Sequence, residues 1–141
     1  QSLAPYETCC LAEVYLPNIE SKEELLKVCT YLYRICKHSL ALDCHLEETQ
    51  TIVHKNMRMG IGVTGYLQAP KYKRQWLSDV YSELRLFDKK YSNKHGFPTS
   101  ILLLPHNLSL ILLSGITTGG AFLCCCIDSA IILAAIHSSC E

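Results

Sequence analysis

Cys10-Leu11-Ala12-Glu13-Val14-Tyr15-Leu16, closed by Pro17-Asn18 and followed by Ser21-Lys22-Glu23-Glu24-Leu25, is the stretch from which the fold can be read. Residues 10–16 suit a short strand, and Pro17-Asn18 supplies the turn that ends it. Ser21 and Glu24 form an S-x-x-E capping box ahead of an apolar run. Leu25, Val28, Cys29, Leu32, Ile35, Cys36 and Leu40 then recur at intervals of three and four, which predicts one helix over 22–42 with a wide buried stripe.

Working outward, Thr51–Met59 carries mixed signals and is expected to start a second helix. Gly60, Gly62 and Gly65 follow in the apolar run Gly-Ile-Gly-Val-Thr-Gly-Tyr. A phosphate-binding loop needs a Lys-Ser/Thr that this run lacks. The favoured reading is a helix packed closely on a neighbour through its glycines and ended by Pro70. A third helix is predicted over 71–93. Trp76, Val80, Leu84, Phe87 and Tyr91 share one face with Leu77 beside them, and Lys73, Arg74, Arg85, Lys89 and Lys90 fall elsewhere. Gly96 is placed to end this helix, with Pro98 two residues on. Ile101–Leu104 reads as a buried strand, although four residues cannot separate strand from helix by period.

Charge divides the chain in two. Residues 1–95 hold nearly all of it, and after Lys94 only Asp128 and Glu141 are charged. The total balances at 13 basic and 13 acidic side chains, so no global field draws the protein to a nucleic-acid polymer or to anionic lipid. The apolar stretch Ala121–Ile136, interrupted by Asp128, is shorter than the ~20 residues of a membrane-spanning helix, which favours a buried helix or a tail over a membrane span. Cys9, Cys10, Cys29, Cys36, Cys44, Cys124, Cys125, Cys126 and Cys140 are odd in number and clustered, unlike a secreted disulfide framework. With no signal-peptide pattern at the start, a reducing, cytoplasmic setting is expected. Cys29 and Cys36 fall on the apolar helix stripe, where cysteine serves as a small hydrophobe. Adjacent cysteines at Cys124–Cys126, with His137 and Cys140, depart from the spacing of structural zinc sites, and no metal is expected.

Three stretches together carry a resemblance: Tyr6-Glu7-Thr8-Cys9-Cys10-Leu11-Ala12-Glu13-Val14; Asn56-Met57-Arg58-Met59-Gly60-Ile61-Gly62-Val63-Thr64-Gly65; and Leu84-Arg85 through Asp88-Lys89-Lys90-Tyr91-Ser92 to Gly96-Phe97-Pro98-Thr99-Ser100-Ile101. In this order and spacing the chain resembles the C-terminal part of the catalytic barrel of ribonucleotide reductases. The Cys-Cys-Leu-Ala-Glu form is most similar to the monomeric, adenosylcobalamin-dependent (class II) ribonucleoside-triphosphate reductases. The resemblance implies an α/β fold: a partial fragment of the ten-stranded α/β barrel of that family, mostly helical in residues 20–95. It assigns residues 1–120 to the barrel and leaves 121–141 as a divergent apolar tail.

For function, the resemblance implies conversion of ribonucleoside triphosphates to deoxyribonucleotides by thiyl-radical chemistry. Adenosylcobalamin would be the radical source and a thioredoxin-like protein the reductant. The family's radical cysteine lies in Asn-Pro-Cys-x-Glu, a motif this sequence does not contain, so the chain is expected to be a piece that is inactive alone. Cys9 matches one of the two barrel-wall cysteines that end the reaction as a disulfide. Thiol–disulfide couples suit this task because they release two electrons and are reset by exchange. Cys10 is not expected to be its partner, since adjacent cysteines form strained disulfides. Pro105, His106, Asn107, Leu108 and Ser109 stand where the family has a phosphate-binding turn, but His106-Asn107 replaces its central Ser-Gly-Thr, so any phosphate site is weakened. Two further readings stay open: a non-catalytic remnant and a small membrane-associated protein.

Overall fold

The computed structural model of the chain describes residues 3–103. Strand β1 (Cys10–Tyr15) leads through a single 3-10 turn (Leu16–Asn18) to helix α1 (Lys22–Leu40) and helix α2 (Glu47–Asn56). Strand β2 (Met59–Thr64), helix α3 (Lys71–His95) and the short strand β3 (Leu102–Leu103) complete the described part. The three strands make one sheet in the order β1-β2-β3, and both pairings are parallel. Strands and helices thus mix as an α/β protein requires.

Helix α1 starts where its cap predicts. The Ser21 hydroxyl accepts from the Glu24 N–H at 3.1 Å, and the Glu24 carboxylate accepts from the Glu20 N–H at 2.7 Å. The reciprocal half of the box therefore lands one residue ahead of Ser21. Helix α3 ends at Gly96, whose φ of 71° is the left-handed conformation that glycine adopts without a Cβ penalty.

Helix α1 lies against β1 and β2, and α3 packs on α1. Between them sit Leu16, Leu25, Cys29, Tyr33, Cys36, Met59, Ile61, Val80 and Leu84, all nearly or fully buried. Each large aliphatic among them contributes roughly 1.5–3 kcal/mol on leaving water. The inner stripes differ in detail from those predicted. On α1, Ile35 is exposed, while Tyr33 and Lys37 are buried. On α3 the buried set is Lys73, Leu77, Val80, Leu84, Asp88 and Ser92, with Trp76, Phe87 and Tyr91 only partly covered. Polar groups can face inward here because each finds a partner. Lys73, for example, donates to the Pro17 carbonyl at 2.8 Å.

The predicted glycine-packed helix at Gly60–Gly65 is corrected: this run is the central strand β2 and the bend after it. Gly60 and Gly62 pair with Leu11 and Glu13 in register. A Cβ on Gly62 would lie 3.3 Å from both Cγ and Oε1 of Glu13, so the bare backbone leaves room for that side chain. Gly65 has φ +73°, and a Cβ there would come within 2.6 Å of the Pro17 ring. A helix through these residues would have carried a cost of about 1 kcal/mol per glycine. Pro70 does not end this element; it caps α3.

Candidate functional site

The site is built from the residues just before β1. Ala4-Pro5-Tyr6-Glu7 forms a turn closed by the Glu7 N–H on the Ala4 carbonyl at 3.1 Å. Proline at the second position and a positive φ of 63° at Tyr6 are the marks of a type II turn. The Glu7 carboxylate closes the same turn from the other side by accepting from the Ala4 N–H at 2.8 Å. Its second oxygen accepts from Asn56 Nδ2 at 2.7 Å and from Arg58 Nε at 2.8 Å.

Those donors are delivered by a helix end. Helix α2 stops at Asn56 because Met57 turns into the left-handed region, φ 42°, while its N–H still reaches the Val53 carbonyl. The reversal lets Asn56 and Arg58 meet one carboxylate. It also points the Arg58 carbonyl at the Cys10 N–H, 3.1 Å away, which starts the β1–β2 ladder. Burial works to raise the pKa of Glu7. The bonds from Arg58, the Ala4 N–H and Asn56, with the charge of Arg58, outweigh it and hold the carboxyl below its ordinary range.

Cys9 sits between these two anchors, two residues after Glu7 and one before the Cys10 N–H. It is 4% exposed. Side chains alternate along a strand. Cys10, Ala12 and Val14 of β1 enter the core under α1. Cys9 precedes β1 and lies outside that core cluster; alternation places Leu11 and Glu13 on the sheet face away from α1. Parallel sheets are normally covered on both faces. Leu11, Glu13 and Gly62 are only half-buried on this side, so the described residues leave that face incompletely covered.

Two of the three resembling stretches thus meet at Glu7: the carboxylate comes from the first, Asn56 and Arg58 from the second. Sequence reasoning singled out Cys9 and missed Glu7, Asn56 and Arg58 as its framework. A charge-complementary Glu and Arg, one in each motif, was the available signal. The remaining predicted residues, Pro105, His106, Asn107, Leu108 and Ser109, lie outside the described residues. So do the tail at 121–141 and the cysteines at Cys124–Cys126. Among the described residues no three His, Cys, Asp or Glu side chains gather as a metal site would require. Two grooves among the described residues are shallow. One of about 380 Å3 runs along α1 by Leu26, Lys27, Tyr31 and Arg34; another of about 440 Å3 lies by Pro5, Glu48 and Lys55. Neither is lined by Cys9, and neither could enclose a corrinoid. No helix among the described residues is long and apolar enough to cross a membrane.

A parallel α/β sheet with a buried thiol pinned at the head of its first strand is the class of site on view. A probable adenosylcobalamin-dependent ribonucleoside-triphosphate reductase of Dictyostelium discoideum is 29% identical to the chain over 106 residues, which is 72% of this chain and 14% of that protein. The match supports a distant relationship to such a reductase. No family model matches the chain, and no solved structure matches it.

Proposed function

We propose that this chain is part of the catalytic barrel of an adenosylcobalamin-dependent ribonucleoside-triphosphate reductase, residues 1–120 contributing barrel elements and 121–141 an apolar tail. In this reading Cys9 is one of two wall thiols. Together they surrender two electrons and two protons, the ribose loses its 2′ hydroxyl as water, and the thiols close to a disulfide. A dithiol protein of the thioredoxin kind then resets them by exchange. The partner thiol, the radical cysteine and the corrinoid site belong to parts of the protein other than residues 3–103. The substrate is a ribonucleoside triphosphate and the setting is cytoplasmic.

One observation carries the proposal. The Glu7 carboxylate joins the stretch bearing Cys9 to the stretch Asn56–Gly65, at 2.7 Å from Asn56 and 2.8 Å from Arg58. Two of the stretches that together carry the resemblance are thus joined by one carboxylate beside a buried thiol. The altered turn at Pro105–Ser109 favours a second reading, a remnant that no longer holds substrate phosphates.

The test is a reductase assay on the full-length protein containing residues 1–141, with adenosylcobalamin, a ribonucleoside triphosphate and a dithiol reductant. Cys9→Ser is expected to abolish repeated turnover while nucleotide binding persists. Turnover at the wild-type rate in Cys9→Ser would overturn the role of Cys9. A gene with no reductase sequence upstream of Gln1 would overturn the whole assignment. The 141-residue chain alone is expected to be inactive.

A further inference from the structure

Glu7 is the hub of its cluster, but Arg58 is the member whose bonding is incomplete. Its Nε donates to Glu7 Oε1 at 2.8 Å, while neither Nη group makes a hydrogen bond among the described residues. The side chain is nevertheless only 15% exposed. The buried lysines behave differently. Lys37 donates to the Pro98 carbonyl and to Ser100 Oγ, and Lys73 to the Pro17 carbonyl. A guanidinium carries its N–H donors in a fixed planar fork. Donors covered by protein without an acceptor are costly, and in native structures they point to a water, an ion or a ligand.

The fork is also held in place. Glu7 has no exposed side-chain surface, and the Ala4 N–H at 2.8 Å and Asn56 Nδ2 at 2.7 Å fix its carboxylate. The Arg58 carbonyl accepts from the Cys10 N–H at 3.1 Å. Backbone and Nε of Arg58 are thus both anchored, and little side-chain freedom is left to lose on binding. Glu7 balances the charge of the guanidinium but takes its hydrogen bond from Nε alone. Recognition by the Nη edge therefore rests on paired hydrogen bonds more than on net charge.

We propose that Arg58 is an oxyanion-binding residue: braced through Nε by Glu7, it presents Nη1 and Nη2 to two oxygens of a phosphate or carboxylate group at the head of β1 and β2. Both sources offer the same chemistry, two oxygens that share negative charge and accept parallel N–H bonds from the fork. Lysine is no substitute at such a place, because an ammonium is a point charge without the fork. The binding of an oxyanion here does not depend on the reductase reading. Within that reading, the anion is held beside the strand head that carries Cys9.

The experiment reads Arg58 itself and needs no variant that must fold. The full-length protein containing residues 1–141 is treated with phenylglyoxal, which condenses with guanidinium nitrogens, in a triethanolamine chloride buffer free of oxyanions. Modified peptides are then mapped by mass. Parallel arms hold inorganic phosphate, a ribonucleoside triphosphate or acetate, with ionic strength matched by chloride. Arg34, exposed on α1, is the internal control. Arg58 is expected to react in chloride and to be protected about tenfold in at least one arm once the oxyanion is well above its Kd, with Arg34 unchanged. Protection by phosphate and the triphosphate assigns a phosphate ligand, and protection by acetate alone a carboxylate. No protection in any arm, or equal protection of Arg34, overturns the proposal. So does an Arg58 that stays unmodified in chloride while Arg34 reacts, because its Nη groups are then engaged within the protein.

Discussion

Two buried polar clusters hold this fold together, and the balance of forces differs between them. Around Glu7, burial works against the charge, but three hydrogen bonds and the Arg58 guanidinium win, so the carboxylate is favoured. Between α1 and α3, Lys37 has no exposed surface. It donates to the Pro98 carbonyl and to Ser100 Oγ at 2.7 Å, and lies 3.6 Å from Asp88 Oδ1. There burial outweighs the attraction of Asp88, and the lysine pKa falls. The difference is one of geometry. Glu7 is gripped by donors at 2.7–2.8 Å with one partner, Arg58, still 15% exposed. The Lys37–Asp88 pair is wholly desolvated and meets at longer range, the setting in which a buried ion pair returns little net stability.

The largest effect is expected from breaking the second cluster at its hub. Asp88 accepts from Tyr33, from Ser92 and from the Ser100 N–H. Asp88→Ala strands all three donors and leaves Lys37 without its counter-charge, at a cost of about 3–5 kcal/mol, read from urea unfolding. A loss no larger than that of an ordinary surface substitution would remove the claim that this cluster pins α3 to α1.

Glu7→Gln comes next, at about 2 kcal/mol, because bonds to a charged acceptor are replaced and an amide donor is set against other donors. The pH dependence has a definite sign. The Glu7 pKa is lower folded than unfolded, so its contribution is complete above the unfolded value near ~4.3 and is lost as pH falls toward the folded one. Urea midpoints from pH 6 downward should fall more steeply for the wild type than for Glu7→Gln. Parallel curves would mean that Glu7 is not stabilised as a carboxylate.

Both clusters were hard to read from sequence, for one physical reason. Apolar period locates a helix and its buried side on average, and it found α1, α3 and the cap at Ser21 well. It does not say that Lys37, Asp88 or Ser92 will turn inward. A polar side chain is tolerated in the core only if partners arrive from elsewhere, and Tyr33 and Asp88 are 55 positions apart. Glu7 and Arg58 are 51 apart. Glycine misled in the same way at β2. Gly60 and Gly62 carry no periodicity of their own, and their use becomes visible only when Glu13 is known to lie over Gly62. Cys9 was singled out through resemblance, whereas the hydrogen bonds of Glu7 beside it had no periodic signal.

Lys37→Met should cost less than Asp88→Ala, about 1 kcal/mol, because Asp88 keeps its other three donors and the desolvated charge of the lysine is removed. A Lys37→Met loss equal to that of Asp88→Ala would mean that the ion pair, and not the donor network on Asp88, supplies the stability of this cluster.

The smallest expected effect asks whether the clusters act separately. Ser100 belongs to the Asp88 cluster through its N–H and hydroxyl. The next residue, Ile101, donates to the carbonyl of Asn56, whose side chain holds Glu7, and accepts from the Met59 N–H at the start of β2. The dipeptide 100–101 is therefore held from one side by each cluster, immediately before β3. Substitutions that share such a connection fail to add. A double-mutant cycle of Glu7→Gln with Asp88→Asn should give a coupling of about 0.5 kcal/mol or more, the second change being the milder form of the hub substitution so that the double variant still folds. Additivity within about 0.3 kcal/mol would mean that the two clusters are independent, and that the strand leading toward Pro105 is set by the sheet alone.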